Sequence, residues 1–206
     1  MWYPIVIIVV TSYMLGNLNG SVCISALKAH EDVRTHGSGN AGLTNFIRSY
    51  GTASAALVIA IDGSKAVFAC LLGGLLLKPY GLEIEGEMLA AAAVILGHNF
   101  PAALGFRGGK GVLCGAVAAL CMDLRVFAIL LVVFVLIVAL TRYVSLGSVI
   151  VAALFGLCFA GFYWEHPFVV VCGVGLGALV IMMHCKNIRR LINGTESKLS
   201  LKRKSQ

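Results

Sequence analysis

Seven apolar stretches, separated by short polar segments, fill most of this 206-residue chain. They cover roughly residues 3–27, 51–77, 86–103, 109–122, 124–141, 145–163 and 165–185. Several reach the roughly 20 residues that an α-helix needs to cross a bilayer. Only 12% of the residues are charged, against about a quarter in soluble domains, so lipid is the expected solvent. The sequence therefore predicts an all-α integral membrane protein, a compact bundle of about seven transmembrane helices. The short 109–122 stretch leaves five or six spans open.

The distribution of charge predicts how these spans are oriented. No basic residue precedes the first apolar stretch, which argues against a cleaved signal peptide and places the N-terminus outside. Alternating spans then put 13 of the 16 Lys and Arg residues in cytoplasmic loops, where cations are usually enriched. Five of the nine acidic residues fall outside. The prediction is one membrane-embedded domain over residues 1–206, with a cytoplasmic C-terminus and a basic tail at 198–206.

Three segments rich in glycine and cations lie on the predicted cytoplasmic face, at residues 37–48, 97–111 and 184–191. Glycine lets the backbone approach a ligand closely, and Arg and Lys favour an anion beside them. The net charge of +7 follows the predicted inside loops, and no nucleic-acid motif accompanies it, so nucleic acid is not an expected partner. The segments predict a phosphate site at a membrane surface.

The first segment predicts a helix start that faces an anion. Its apolar residues resume at Phe46, so a helix is expected to begin near 40–45, and the free amides of such a start bind phosphate well. Ser38 and Thr44 add hydroxyl groups, and Arg48 offers a two-pronged guanidinium. A capped re-entrant turn, with Arg48 on a lipid phosphate, is the alternative reading.

The second segment, Arg107-Gly108-Gly109-Lys110-Gly111, resembles a nucleotide-binding P-loop only superficially. Leu104 stands where that pattern needs Gly, and Gly111 where it needs Ser or Thr. The residues predict a glycine-backed lysine at the start of the 109–122 helix, suited to a phosphate.

The third segment places His184 and Asn187 three residues apart at the end of the last span. They are expected to share one helix face. His184 is either a general base near neutral pH or a neutral donor that orients a phosphate, and the second role is favoured. The neighbouring cations Lys186, Arg189 and Arg190 would by themselves be ordinary inside anchors.

Asp62 and Lys65 are charged residues inside a predicted span, three residues apart on one helix face. A lone charge at mid-bilayer costs at least about 2.5–3.5 kcal/mol on insertion scales, so the two are expected to pair. A direct role in binding substrate is the alternative. His98 precedes Pro101 at the end of a span, and a lone histidine in such a position is more often only a residue at a helix end.

The sequence lacks the motifs of covalent acyl transfer, GxSxG and HxxxxD. A reaction at this site is therefore expected to use an activated substrate and to depend on positioning and charge. The competing class is a transporter of organic phosphates, which should show a polar route and inverted repeats, and the sequence shows neither. A third class is a structural binder of anionic lipids, which would not need His184 with Asn187 or glycines at these spacings.

Three separated stretches resemble, in order, the signature segments of the acyl-phosphate:glycerol-3-phosphate acyltransferases, the PlsY family. They are GSGNAGLTNFIR (37–48), GHNFPAALGFRGGKGV (97–112) and HCKNIRRLINGTESK (184–198), with further similarity at Asp62 and Lys65 and at RYVSLGS (142–148). The resemblance implies a bacterial inner-membrane enzyme with its active site toward the cytoplasm. It would transfer a fatty acyl group from acyl phosphate to the 1-hydroxyl of glycerol 3-phosphate, giving lysophosphatidic acid.

The resemblance also implies partners and residue roles. The partners are glycerol 3-phosphate, fatty acyl phosphate, the lipid bilayer and an acyl-phosphate-forming enzyme; neither cofactor nor metal is expected. The catalytic residues would be Ser38, Arg48, Lys110, His184 and Asn187. With their neighbours in the segments, the residues expected to bind substrate phosphate are Gly37, Gly39, Asn40, Thr44, Asn45, Arg107, Gly108, Gly109 and Gly111. A structural or substrate-adjacent role is expected for Asp62, Lys65, His98 and Glu196. Arg107 stands where the family often has Lys, which keeps the charge.

Direct attack of the glycerol hydroxyl on the acyl carbonyl is the expected mechanism. The phosphate of the donor, or else His184, would take the proton.

Overall fold

The computed structural model describes residues 2–199, and the regular structure within them is helical. The basic tail predicted at 198–206 lies outside the described residues from position 200 onward. The chain divides into two compact units, one ending at Met122 and one beginning at Asp123, and each is described by itself. A single domain over 1–206 stays a prediction.

Ten α-helices form the described part of the chain. In the first unit they are α1 (Trp2–Asn17), α2 (Gly20–Ala29), α3 (Leu43–Tyr50), α4 (Ala55–Leu77), α5 (Glu83–Asn99) and α6 (Val112–Met122). In the second unit they are α7 (Leu124–Thr141), α8 (Val144–Phe162), α9 (Pro167–Met183) and α10 (Cys185–Ile192). The predicted apolar stretches all fall on these helices, and α3 begins where the first polar segment predicted a helix.

Within residues 2–199, five segments are long and apolar enough to cross a membrane: Trp2–Ala29, Ala55–Tyr80, Glu83–Leu104, Leu124–Thr141 and Val144–Phe162. A sixth results if the bent pair of α9 and α10 is one span. The seven spans predicted from the sequence are not confirmed, because α6 has only 11 residues. At 1.5 Å per residue that helix is about 16 Å long, roughly half of a bilayer core.

The first apolar stretch is two helices rather than the single one expected. α1 ends at Asn17, and Asn19 caps α2 by accepting the Val22 N–H at 3.0 Å. The break frees backbone carbonyls of the last turn of α1, which then need other donors. Lys65 of α4 supplies them, since its ammonium lies 3.3 Å from the Gly16 oxygen and also donates to the Leu18 oxygen.

Helix α5 packs between α1 and α4 in the first unit. Its contact with α4 depends on glycine, because a Cβ placed on Gly86 would overlap the Gly73 carbonyl, and one on Gly73 would overlap the Gly86 carbonyl. Lipid provides no hydrophobic drive between helices, so such close backbone contacts are a main source of helix association.

A small apolar cluster anchors the first polar segment onto α2 and α4. Val33, Ala41 and Phe46 of the segment and its helix are at most 1% exposed, and they pack with Ile24 and Val58. The segment is therefore attached at both ends, and the residues between 34 and 40 form a loop over this cluster.

In the second unit, α8 packs against α7 and α9, and the last apolar stretch bends by 58° at His184. His184 therefore lies at the bend between the two helices and Asn187 lies in α10, so the expectation that they share one helix face stays a prediction. The backbone N–H of His184 bonds to the Ile181 oxygen instead of the Val180 oxygen, which is taken by the His184 ring at 2.7 Å. The side chain thus replaces the backbone as the donor to that carbonyl, and α10 starts in a new direction.

Candidate functional site

The loop at residues 36–42 is organised by one buried amide. Asn45 is 3% exposed, and its Nδ2 lies 3.0 Å from the carbonyl oxygens of Val33, His36 and Asn40. Its Oδ1 accepts the Ser38 N–H at 2.8 Å. Both atoms of the amide are used in closing the loop, so a contact with a substrate phosphate, predicted for this residue, stays a prediction.

The tip of the closed loop is polar and exposed at the protein surface. Gly37, Ser38 and Gly39 are exposed, and both glycines have positive φ angles of 57° and 73°, which favour glycine. Asn40, half-buried, follows them, and the N-cap Gly42 offers no side-chain acceptor to the first amides of α3. The hydroxyl of Ser38 and the amides that open α3 therefore belong to one small region.

Thr44 and Arg48 extend this region along α3. Thr44, in the first turn, is half-buried, and Arg48, in the last turn, is exposed. The helix has eight residues, so the two side chains lie one turn apart on the same face.

Arg34 ties the first polar segment to the second. Its Nη1 donates to the Leu104 oxygen at 2.8 Å and to the Arg107 oxygen at 3.1 Å, while Asp32 holds the guanidinium at 2.7 Å through Nη2. The hydrogen bond from Arg34 outweighs burial and lowers the pKa of Asp32, so the pair stays ionised near neutral pH. Asn40 adds a longer contact, from Nδ2 to the Gly108 oxygen at 3.5 Å.

The second segment wraps around the carboxyl end of α5. Gly108 N–H donates to the Asn99 oxygen at 3.2 Å, and Gly109 N–H donates to the His98 oxygen at 3.0 Å. These bonds cap the last carbonyls of the helix and fix the loop, which leaves Lys110 half-buried two residues before α6. Arg107 is exposed.

Asp62 and Lys65 form the ion pair that their spacing predicted. The Lys65 Nζ lies 2.8 Å from Asp62 Oδ1, and both side chains are at most 3% exposed. Asp62 also accepts the Gly20 N–H at 3.1 Å, and Lys65 lies 2.9 Å from Nδ1 of His98. The cluster connects α2, α4 and α5, and the ring of His98 lies against Gly109 of the second segment.

In the second unit, the ring of His184 has a defined tautomer. Because the Val180 carbonyl can only accept, Nδ1 of His184 carries the proton, and Nε2 of the neutral ring is an acceptor. His184 is 3% exposed. This geometry disfavours a neutral donor at Nε2, the role preferred from the sequence, and favours a base or a protonated donor.

Glu196 holds Asn187 in place. Its Oε1 accepts from Asn187 Nδ2 and from Ser145 Oγ, both at 2.8 Å, and its Oε2 accepts from Arg190 Nε at 2.6 Å. Burial acts to raise the pKa of Glu196, but the bonds from Arg190, Asn187 and Ser145 outweigh it and keep the pKa below its usual value. The carboxylate orients the Asn187 amide through a contact between α10 and the segment that follows it.

The structure brings the first two segments together in one unit, and places the third in the other unit. Sequence reasoning missed Arg34 and Asp32, which connect the first two segments, because no local pattern indicates a contact 70 residues along the chain.

Within residues 2–199, no group of three or more His, Cys, Asp or Glu side chains is placed to hold a metal ion. The groups that do converge are donors and cations, which suit oxyanions.

A comparison of the sequence with protein families matches residues 6–194 to the family described as glycerol-3-phosphate acyltransferase. The chain belongs to this glycerol-3-phosphate acyltransferase family. A relative with that name from Clostridioides difficile (strain 630) is 38% identical over 205 residues, covering 98% of both chains. One from Thermoanaerobacter sp. (strain X514) is 37% identical, covering 96% of both.

Two solved structures are similar over nearly the whole chain. One is PlsY (YgiH), described as an integral membrane glycerol 3-phosphate acyltransferase, in its glycerol 3-phosphate form. It is 30% identical with a TM-score of 0.85, covering 95% of this chain and 96% of that one. The lysophosphatidic acid form of PlsY is 28% identical with a TM-score of 0.81, covering 96% of both chains. The PlsY resemblance drawn from the three segments is confirmed.

Proposed function

We propose that this acyltransferase moves a fatty acyl group from acyl phosphate to the 1-hydroxyl of sn-glycerol 3-phosphate. The hydroxyl oxygen attacks the acyl carbonyl, the C–O bond to the phosphate breaks, and lysophosphatidic acid and inorganic phosphate leave. Acyl phosphate is a mixed anhydride with a good leaving group, so the reaction needs no covalent acyl-enzyme. It is the first acylation in bacterial phospholipid synthesis.

The observation that carries this proposal is the joining of the two glycine-rich segments by Arg34. That contact places the exposed Ser38 loop and the Lys110 loop side by side in one unit. Both substrates bring phosphate, and hydroxyl, amide and ammonium groups are its usual partners. Ser38, Thr44, Arg48 and Lys110 are therefore assigned to substrate phosphate and to the charge that develops on the acyl carbonyl.

The proton of the glycerol hydroxyl is assigned to the phosphate of the acyl donor. His184, whose neutral ring accepts at Nε2, is the alternative acceptor. The neutral-donor role of His184 is dropped on the same geometry, and Asn187, fixed by Glu196, keeps its predicted catalytic role.

We place the enzyme in the bacterial inner membrane, with its N-terminus outside and its C-terminus and active site toward the cytoplasm. The clustering of cations in the loops predicted to be inside supports this orientation. The acyl phosphate would be supplied by a second, acyl-phosphate-forming enzyme. Reaction of single-cysteine variants with membrane-impermeant thiol reagents on either side of the membrane tests the orientation.

The decisive experiment compares two donors with purified enzyme in lipid. Glycerol 3-phosphate is mixed with palmitoyl phosphate or with palmitoyl-CoA, and lysophosphatidic acid is measured. We expect product from palmitoyl phosphate only, and a loss of about 10- to 100-fold in kcat/KM in Lys110→Ala, the range expected for one hydrogen bond to a charged group. Lys28→Ala, which removes an exposed cation in the last turn of α2, is the matched control.

Product from palmitoyl-CoA alone would overturn the proposed donor. Product from neither donor, with uptake of glycerol 3-phosphate into vesicles, would favour the transporter class instead.

A further inference from the structure

Two polar side chains at the end of α5 face the glycine loop that carries Lys110. A Cβ placed on Gly109 would overlap Nε2 of the His98 ring. One placed on Gly111 would lie 3.0 Å from Oδ1 of Asn99 and 3.4 Å from its Nδ2. These two glycines flank Lys110 in sequence. The space that their side chains would fill is occupied by the polar ends of His98 and Asn99.

The contacts of Lys65 determine which nitrogen of His98 carries the proton. An ammonium can only donate, and besides the Gly16, Leu18 and Asp62 oxygens the Lys65 ammonium lies 2.9 Å from Nδ1 of His98. Because Nδ1 accepts from Lys65, the neutral imidazole of His98 has its hydrogen on Nε2. The ring therefore turns a donor, not an acceptor, toward the loop.

The Asn99 amide is buried without a partner. Asn99 is 1% exposed, and within residues 2–199 both polar atoms of its amide lack a hydrogen bond. His98 is 5% exposed, and its contact with Lys65 is made through Nδ1, so Nε2 is turned toward the loop. A buried amide without a partner destabilises a fold, so Asn99 is expected to meet a bound group there, and Nε2–H of His98 faces the same loop.

We propose that His98 Nε2–H and Asn99 Nδ2 donate hydrogen bonds to an oxygen of a substrate phosphate held beside Lys110. The proposal rests on the proposed function. Phosphate suits the place because its oxygens only accept, and because the lysine beside the two donors supplies a cation. Lys65 is a positioning residue, which acts by fixing the tautomer of His98. Glycerol 3-phosphate and acyl phosphate share this chemistry, and kinetics distinguish them.

The test compares two replacements of His98. Gln at this position carries an amide donor close to the place of Nε2, whereas Asn reaches only the place of Nδ1 and can still accept from Lys65. If His98 donates to phosphate, His98→Asn should raise the KM of one substrate by about 10- to 100-fold, and His98→Gln should recover at least several-fold of that loss. The substrate whose KM rises is the one whose phosphate is bound. His30→Asn, at an exposed position with a φ of 55° that Asn tolerates, is the matched control.

Asn99 provides an independent arm. Asn99→Leu conserves the approximate volume and removes the donor, so it should raise the same KM. If the amide has only a structural place in the fold, Leu should leave KM unchanged and raise the melting temperature, since replacing an unpaired buried amide by an apolar group is stabilising. Asn99→Asp should weaken phosphate binding further, because it adds a negative charge.

Binding is also measured without catalysis, as the rise in melting temperature caused by glycerol 3-phosphate or by inorganic phosphate. A smaller rise in His98→Asn than in His98→Gln supports the proposal even if palmitoyl phosphate is not the donor, so the two proposals fail separately. The opposite order, with His98→Asn near wild type and His98→Gln impaired and less stable, would overturn the proposal. It would assign to His98 only the support of Lys65.

Discussion

Replacing Asn45 by Asp exchanges one buried amide nitrogen for an oxygen and changes almost nothing in size. In the native loop, Nδ2 lies 3.0 Å from three carbonyl oxygens, those of Val33, His36 and Asn40. In the variant, all three would face an oxygen. We expect the loop at residues 36–42 to lose its closed conformation, and with it the position of Ser38.

The expected loss of stability in Asn45→Asp follows from the other hydrogen-bond partners of these carbonyls. The Val33 and His36 oxygens also accept backbone N–H groups, of His36 at 3.3 Å and Gly39 at 3.0 Å. The Asn40 oxygen has no other partner among residues 2–199. The lost sole partner and the two weakened acceptors cost about 1 kcal/mol each, or up to about 3 kcal/mol for the buried Asn40 oxygen, which gives about 3–5 kcal/mol in all. For a chain of this size, about 2–4 °C per kcal/mol predicts a fall of about 6–20 °C in melting temperature.

Unfolding can be followed with a fluorogenic thiol reagent, because Cys70 and Cys114 are free and fully buried in the native protein. Asn193→Asp, at an exposed residue after α10, is the matched control and should change the melting temperature little. Lowering the pH should partly restore Asn45→Asp. The carbonyl oxygens raise the pKa of the new carboxyl above its unfolded value, so the folded state gains a proton and stability as pH falls.

A melting temperature within about 2 °C of wild type, together with full acyltransferase activity, would refute this account of the loop. A fall in melting temperature that does not diminish at about pH 5 would refute the acceptor–acceptor explanation for it. The nearby Asp32 carboxylate does not contribute to this pH dependence. The hydrogen bond from Arg34 lowers the pKa of Asp32, so that carboxylate stays ionised at about pH 5.

Four further predictions concern stability. Gly86→Ala places a Cβ against the carbonyl of Gly73 and should cost about 1–3 kcal/mol. Gly175→Ala, a helical position with no atom within 4 Å, should instead stabilise by about 0.5–1 kcal/mol, and equal melting temperatures would contradict this. Glu196→Gln should lower the free energy of unfolding by about 1–3 kcal/mol near neutral pH. It should also make that free energy depend less on pH in the acid range. The wild-type carboxylate has a lowered pKa, so its contribution is lost as pH falls through that pKa. Asp123→Asn keeps the N-cap of α7 but removes a carboxylate whose pKa is about 2. The loss of unfolding free energy relative to wild type should be full above about pH 4 and should vanish toward about pH 2.

The broad architecture was predictable because it depends on local composition. A run of about 20 apolar residues has few structural options in lipid, and each predicted stretch is helical. The break at Asn17-Leu18-Asn19-Gly20 also carried a local signal, since Asn and Gly are turn and cap residues, but the apolar flanks obscured it.

Other features could not be read locally. The bend at His184 arises because a side chain takes a carbonyl that the backbone would otherwise use, and the same residues also permit a straight helix. The role of Arg34 depends on a carbonyl at Leu104, and that of Asn45 on three carbonyls of its own loop. Residue types and spacing predicted which segments bind an anion, which stays a prediction, but they did not indicate which side chains hold those segments in place.

The ion pair of Asp62 and Lys65 has a consequence for how the chain enters the bilayer during synthesis. When α4 emerges, α1 and α2 have already been made, so the Gly16 and Leu18 carbonyls and the Gly20 N–H are ready for the two charges. The pair neutralises itself within one helical turn, and only His98, on the later α5, arrives afterwards. The order in which the helices are made therefore matches the order in which the charges are satisfied, and neither charge has to enter lipid before its counter-charge exists.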